Sequence, residues 1–364
     1  MAINTRVYER IFPLAEGAVE AHNKRVAEVN DIVERIGVIS PKRVLINNYP
    51  ISSPPAVFNP SIIIEGHNAY IYARIISGYY MYVSGIVEIP VPFEDIESGN
   101  VNLNHYAARL AIYPSTKYDL WGTEDPRVYV IDNDVYMTYT GRTINYFNPA
   151  IRVERTLPIT AVRDKVDENK WHKKYVHKLP NKLSKQMISN KDAFIAKING
   201  EKYFFHRPHM NDEHFYLLIG KETRKIKKDG ITEIIVENNI EVLRPLHEEE
   251  KLGWSTPPIS ISENKVIALI HAVDKEIKAY KLLAIELEFT KEGVIVTAVT
   301  PRYIMVPRES YEVFGDRPYT VFPCGIVRIG DELYITYGAA DYMIGIGKID
   351  LVALEGELDR GRIY

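Results

Sequence analysis

The stretch Gly122–Gly141, "GTEDPRVYVIDNDVYMTYTG", sets aromatic and β-branched residues against polar ones on both sides of Asp132-Asn133-Asp134. Successive strand residues face opposite sides of a sheet, and Asn and Asp tolerate turn geometry, so this pattern predicts a β-hairpin. Four more segments share the design: "NPSIIIEGHNAYIYAR" from Asn59, "KDAFIAKINGEKYFFHR" from Lys191, "STPPISISENKVIALIH" from Ser255 and "FPCGIVRIGDELYITYG" from Phe322. Their turns centre on Gly66, Asn133, Gly200, Asn264 and Gly330, at successive spacings of 67, 67, 64 and 66 residues.

Five hairpins at a near-constant period predict an all-β chain folded as a five-bladed β-propeller, each blade gaining two outer strands from the intervening sequence. The alternative is a pair of β-sandwiches with accidental spacing. The period exceeds the ~40–45 residues that a compact blade needs, so long loops are expected on one face, where sites usually sit. Ahead of the repeat, Val19, Val26, Val29, Val33 and Ile36 recur at spacings of three, four and seven. That spacing predicts a helix over Ala15–Ile36 ended by Gly37. The expected organisation is an N-terminal helical extension over 1–44 and a propeller over 45–364.

The 364 residues carry a net charge of −3, which implies no bulk attraction to nucleic acid or anionic membrane. No apolar run approaches ~18 residues, and the start of the chain lacks a charged-then-apolar signal pattern. One cysteine, Cys324, excludes an internal disulfide framework. A cytoplasmic protein is expected. Abundant Tyr, Ile, Lys and Glu lean toward a heat-adapted source.

In an antiparallel hairpin, the start of the first arm and the end of the second lie together, opposite the turn. The starts hold Asn59, Glu124-Asp125, Lys191-Asp192, Ser255-Thr256 and Phe322-Pro323; the ends hold Arg74, Gly141, Arg207, His271 and, slightly later, Asp341. Equivalent hairpins would gather these groups at one end of the propeller axis. Glu124 and Asp125, as neighbours on an extended strand, should point to opposite sides. One would face the axis and the other pack locally. Pro126 biases Asp125 toward an extended conformation, and Arg127 is placed to orient a carboxylate. Lys191, Arg207 and Lys251, with His271 and Tyr280 nearby in sequence, would make a compact anion site.

Other signals are weaker. "HRPHMNDEH" (His206–His214) has no standard zinc spacing, so no metal site is expected. "GKETRKIKKDG" reads as a solvated hairpin, and "IGIGKID" opens no helix and is no nucleotide loop. Trp121 and Trp254 either stack on a sugar ring or fill the core.

The ordered set "EDPR", "KDAF…ING…HRP", "PPI…ALIH" and "YTVFPCGIVRIGDELYITYGAAD", spread over roughly Asn59–Asp350, resembles the β-mannoside phosphorylases of glycoside hydrolase family 130. The resemblance implies a five-bladed propeller that performs inverting phosphorolysis of β-mannosides. The products would be α-mannose 1-phosphate and a shortened acceptor. It implies Asp125 as proton donor, acting through a hydroxyl of the bound mannose. It places Asn59, Arg74 and Asp341 on the sugar, and Lys191, Arg207, Lys251, His271 and Tyr280 on phosphate. Glu124 either touches sugar or braces the strand. Inorganic phosphate is the implied co-substrate, with no cofactor, and relatives' helices outside the propeller suggest a homo-oligomer. Phosphate is already an anion and needs no catalytic base, whereas an inverting hydrolase needs a second carboxylate ~6.5–9.5 Å away to admit water. Two departures are that Lys191 stands where many members have arginine, and that "GWSTPP" replaces a glycine-rich stretch. The rivals are a β-mannoside hydrolase on the same fold, a glycosidase using Asp125, Asp192 and Asp341 together, and a propeller that only binds.

Overall fold

The computed structural model describes residues 10–78 and 82–364, and the chain is mostly β-strand with a few short helices. Hairpins pair Ala56–Glu65 with Asn68–Ile76, Thr123–Ile131 with Asp134–Arg142, Met187–Ile198 with Glu201–Met210, and Val321–Ile329 with Glu332–Ala339. The fourth is built differently. Its leading strand is broken into Glu249–Trp254 and Ile259–Ser260, both paired to Lys265–Asp274. Pro257 and Pro258 interrupt it, since proline cannot donate to a ladder.

Each hairpin continues outward through further strands, giving five successive meanders. The second and third are joined into one eight-stranded sheet by parallel pairing of Trp171–Lys178 with Ile231–Leu243. Leading strands of successive hairpins touch one another in order, and Val321–Ile329 packs back against Ala56–Glu65. Polar bonds stitch these contacts: the Val128 amide donates to Ser61 Oγ (2.9 Å), and Thr336 Oγ1 donates to the Pro60 carbonyl (2.9 Å). Sheets pack through apolar side chains; Phe194, Phe205 and Phe289 cluster with Trp254, whose indole N–H donates to the Leu218 carbonyl. Trp254 is therefore core, and the arrangement is β-propeller-like.

The predicted helix over Ala15–Ile36 is corrected to a single short helix, Ala18–Lys24. Arg25 leaves it in an extended conformation, with its guanidinium locked on buried Glu249. From there the chain bonds to the backbone of its neighbours: Val26 to Pro301, Tyr303 to Glu28 and Ile32 to Ile304. The valine stripe is not a helix face, because Val19, Val26 and Val29 are exposed. β-Branched residues gain more from extended pairing than from a helix. Glu34–Ile39 then adds to Met343–Asp350 as the fourth strand of the last meander. The N-terminal segment is a strap whose strand completes a sheet.

Candidate active site

The leading strands share one local defect that builds the site. In the first three hairpins, the register slips by one residue between Phe58 and Ser61, between Glu124 and Arg127, and between Lys191 and Phe194. The residue in each bulge has positive φ: Asn59 at 49°, Asp125 at 52° and Asp192 at 53°. Asn and Asp are the side chains that bear this conformation most cheaply, and a bulge re-aims its side chain. The expectation that Pro126 holds Asp125 extended is thus overturned. So is the expected divergence of Glu124 and Asp125, because the bulge breaks the strand's alternation.

Both carboxylates meet Arg74, which donates from Nη1 to Asp125 Oδ1 (3.1 Å) and from Nη2 to Glu124 Oε1 (3.0 Å). Asn59 Nδ2 donates to the same Asp125 Oδ1 (2.8 Å), which leaves Oδ2 as the oxygen available to the cavity. Gly338 makes this possible, since a Cβ there would lie 1.9 Å from Asn59 Oδ1. Glu124 is only 1 % exposed and also accepts from Arg142 Nε (2.9 Å) and Lys191 Nζ (2.8 Å). Burial alone would raise its carboxyl, but Arg142, Arg74 and Lys191 hold it well below the usual carboxylate range. Glu124 is therefore a fixed anion that organises three cations. The carboxylate that Arg127 meets is that of Asp192 (3.4 Å), not that of Asp125; its fully buried guanidinium otherwise grips the backbone carbonyls of Asp125 (2.9 Å), Trp254 (2.9 Å) and Ser255 (3.0 Å).

Across the cavity, Arg207 Nε donates to Asp192 Oδ2 (2.6 Å), and His271 Nδ1 pairs with Ser255 Oγ (3.2 Å). Burial pushes the His271 imidazole down to about 4, so it is neutral at pH 7. Burial, aided by the charge of Arg207, brings the Lys251 ammonium down to about 7. Lys251 lies 5.0 Å from the centre of the Phe215 ring, and Arg207 5.2 Å from it. Asp341 is the counterpart on the acid side. Burial, with the negative charges of Asp125 and Asp316, raises it to about 6 against the pull of Arg317 and Arg74.

These groups line one cavity of about 230 Å³ fed by all five hairpins. It contains Asn59, Arg74, Asp125, Lys191, Arg207, Lys251, His271, Tyr280 and Asp341. Glu124 lines an adjoining cavity of about 500 Å³ with Arg142, Tyr146 and Phe147; Arg74, Lys191, Arg317 and Asp341 belong to both. A groove of about 580 Å³ around Trp171 and Lys173 lies elsewhere and gathers no carboxylate. Sequence reasoning missed Arg317, which stacks 4.7 Å from the Tyr280 ring centre and sits in a loop outside the repeat. It also missed Phe215 and Thr320. The histidines of "HRPHMNDEH" have other partners: His206 bonds Asn239, and His209 stacks on Phe215. Among the described residues no cluster suited to a metal ion occurs, and no helix is long and apolar enough to cross a membrane.

A propeller-like fold whose cavity sets the carboxylates of Asp125, Asp192 and Asp341 among Arg74, Lys191, Arg207, Lys251 and Arg317 suits a carbohydrate-active enzyme. The family model of glycoside hydrolase family 130, described as beta-1,4-mannooligosaccharide phosphorylase, matches residues 23–355, and the chain belongs to that family. It is 26% identical to a beta-1,2-mannobiose phosphorylase of Thermoanaerobacter sp. (strain X514) over 320 residues, covering 84% of this chain and 96% of the relative. A 1,2-beta-oligomannan phosphorylase of the same strain is 25% identical, over 65% of this chain and 71% of the relative. Among solved structures, the beta-1,2-mannobiose phosphorylase of Listeria innocua in complex with beta-1,2-mannobiose is similar with a TM-score of 0.66 and 16% identity, covering 90% of this chain and 99% of the other.

Proposed function

We propose that this chain is an inverting β-mannoside phosphorylase acting on β-1,2-linked mannosides, with its five meanders as the blades of a five-bladed propeller. The observation that carries the proposal is Asp125: one oxygen is pinned by Asn59 and Arg74, and the other is left to a cavity whose far side is Arg207, Lys251, His271 and Tyr280. The linkage is taken from the relatives' names.

In this mechanism a phosphate oxygen forms a bond to the anomeric carbon as the bond from that carbon to the glycosidic oxygen breaks. The leaving oxygen receives the proton of Asp125, relayed by a mannose hydroxyl. The proton of hydrogen phosphate restores Asp125, so the products are α-mannose 1-phosphate and the acceptor alcohol. Arg207 and Lys251 offset the repulsion between phosphate and the carboxylates and hold the nucleophile in line. Lys191, bound to Glu124, sits at the seam between the two cavities. Arg74, Asp341 and Asn59 hold the mannose. Glu124 anchors Arg74, Arg142 and Lys191 beside the acceptor.

The test is incubation with β-1,2-, β-1,3- and β-1,4-mannobiose, each with and without phosphate. Mannose 1-phosphate from the β-1,2 substrate alone, dependent on phosphate, is expected. Equal turnover of the β-1,4 isomer would overturn the linkage.

A further inference from the structure

Among the described residues that line the cavity, Asp192 is the carboxylate set between two arginines and an imidazole. It is 1 % exposed. Arg207 Nε lies 2.6 Å from its Oδ2, Arg127 Nη2 lies 3.4 Å from its Oδ1, and His271 Nε2 stands 3.5 Å from its Oδ2. The bulge, with φ of 53°, turns the carboxylate toward these groups. We infer that Asp192 is a positioning residue that aims the Arg207 fork at phosphate, with His271 bracing it from behind, rather than a second catalytic carboxylate. This rests on the phosphorylase proposal above.

The geometry assigns each partner one job. Arg207 spends Nε on Asp192, and its two terminal nitrogens remain for two oxygens of an anion, the arrangement that suits a planar guanidinium. Phe215, 5.2 Å away, limits its rotation. His271 is fixed between Ser255 Oγ on Nδ1 and Asp192 at Nε2. Burial alone would raise the Asp192 carboxyl, yet Arg207, His271 and Arg127 hold it well below the usual range. It therefore stays an anion and has no proton to give a leaving group. Gly253 completes the device. A Cβ at that position would lie 2.3 Å from His271 Nε2 and 2.5 Å from Asp192 Oδ2, so only glycine leaves room for the two to approach. The glycine of "GWSTPP" thus belongs to the anion site.

Two variants test this from different directions. Asp192→Asn removes the charge; Gly253→Ala keeps every charge and wedges Asp192 from His271. Binding of inorganic phosphate is measured by calorimetry on each variant and on the parent, beside initial rates at varied phosphate and varied mannoside. Melting curves check the fold, and Gly253→Ala carries the test if Asp192→Asn is unfolded. The expected result is a phosphate Kd and KM raised about tenfold or more in both variants. The mannoside KM should stay within about twofold, with most of kcat recovered at saturating phosphate. Unchanged phosphate affinity would overturn the inference. So would a kcat lost by about a thousandfold at saturating phosphate, the mark of a catalytic group. A parent enzyme that binds phosphate but turns each mannobiose into two free mannoses, with no mannose 1-phosphate, would instead sink the phosphorylase proposal and leave the calorimetric comparison standing.

Discussion

Asp341→Asn removes a carboxyl that the fold raises from its ordinary 3.8 to about 6, chiefly by burial. A group whose native pKa is raised contributes most to stability below its unfolded pKa, and that contribution is lost as pH climbs through the native value. Here the window runs from about 3.8 to about 6, so above pH 7 the ionised Asp341 strains the fold by its full amount. The raised value is equivalent to about 3 kcal/mol at 1.36 kcal/mol per pKa unit. Water reaches part of this half-buried side chain, so about 1–2 kcal/mol is the working figure. Asparagine keeps the shape and removes the charge. At pH 7.5 the variant should unfold at higher urea and melt roughly 1–3 °C above the parent. At pH 4 the gap should nearly close. Its catalytic efficiency should meanwhile fall by about 10- to 100-fold, since a buried charge retained against stability is retained for its contact with substrate. A variant less stable than the parent at both pH values would refute this reasoning.

Two further substitutions address the acid. Asp125→Asn should still accept from Asn59 and Arg74 but has no proton to supply, so kcat should drop by about 10²–10⁴ with an unchanged melting temperature; turnover near the parent's removes Asp125 from the mechanism. Gly338→Ala would drive a methyl to 1.9 Å from Asn59 Oδ1 and push Asn59 off Asp125. It should cost about 1–3 kcal/mol of stability and lower kcat, and wild-type kinetics in a well-folded variant would show that Asn59 does not set the acid.

The hairpin repeat was legible because strand alternation and turn residues are local properties, and Gly66, Gly200 and Gly330 mark turns that formed with positive φ. Convergence of Asn59, Arg74, Arg207, His271 and Asp341 followed from hairpin geometry alone. The bulges were not legible. The bulged Asp125 is held by Arg127, two residues on, gripping its carbonyl, and by Asn59 and Arg74 of another hairpin gripping its side chain, contacts that strand alternation does not foretell. Without the bulge, period-two reasoning split Glu124 from Asp125, although Arg74 joins them. The helix over Ala15–Ile36 failed for a related reason. Valines at helical spacing also suit an extended strap, and pairing with Pro301–Ile304 decided between them. Arg317 escaped notice because its loop lies between hairpins, where a repeat offers no register.

The most direct measurement is phosphorus NMR of the enzyme with β-1,2-mannobiose and inorganic phosphate, followed over time. One α-mannose 1-phosphate should appear for each glycosidic bond broken, with one mannose released as acceptor and no reaction when phosphate is left out. Cleavage that proceeds without phosphate, with no phosphorus signal of a sugar phosphate, would contradict it.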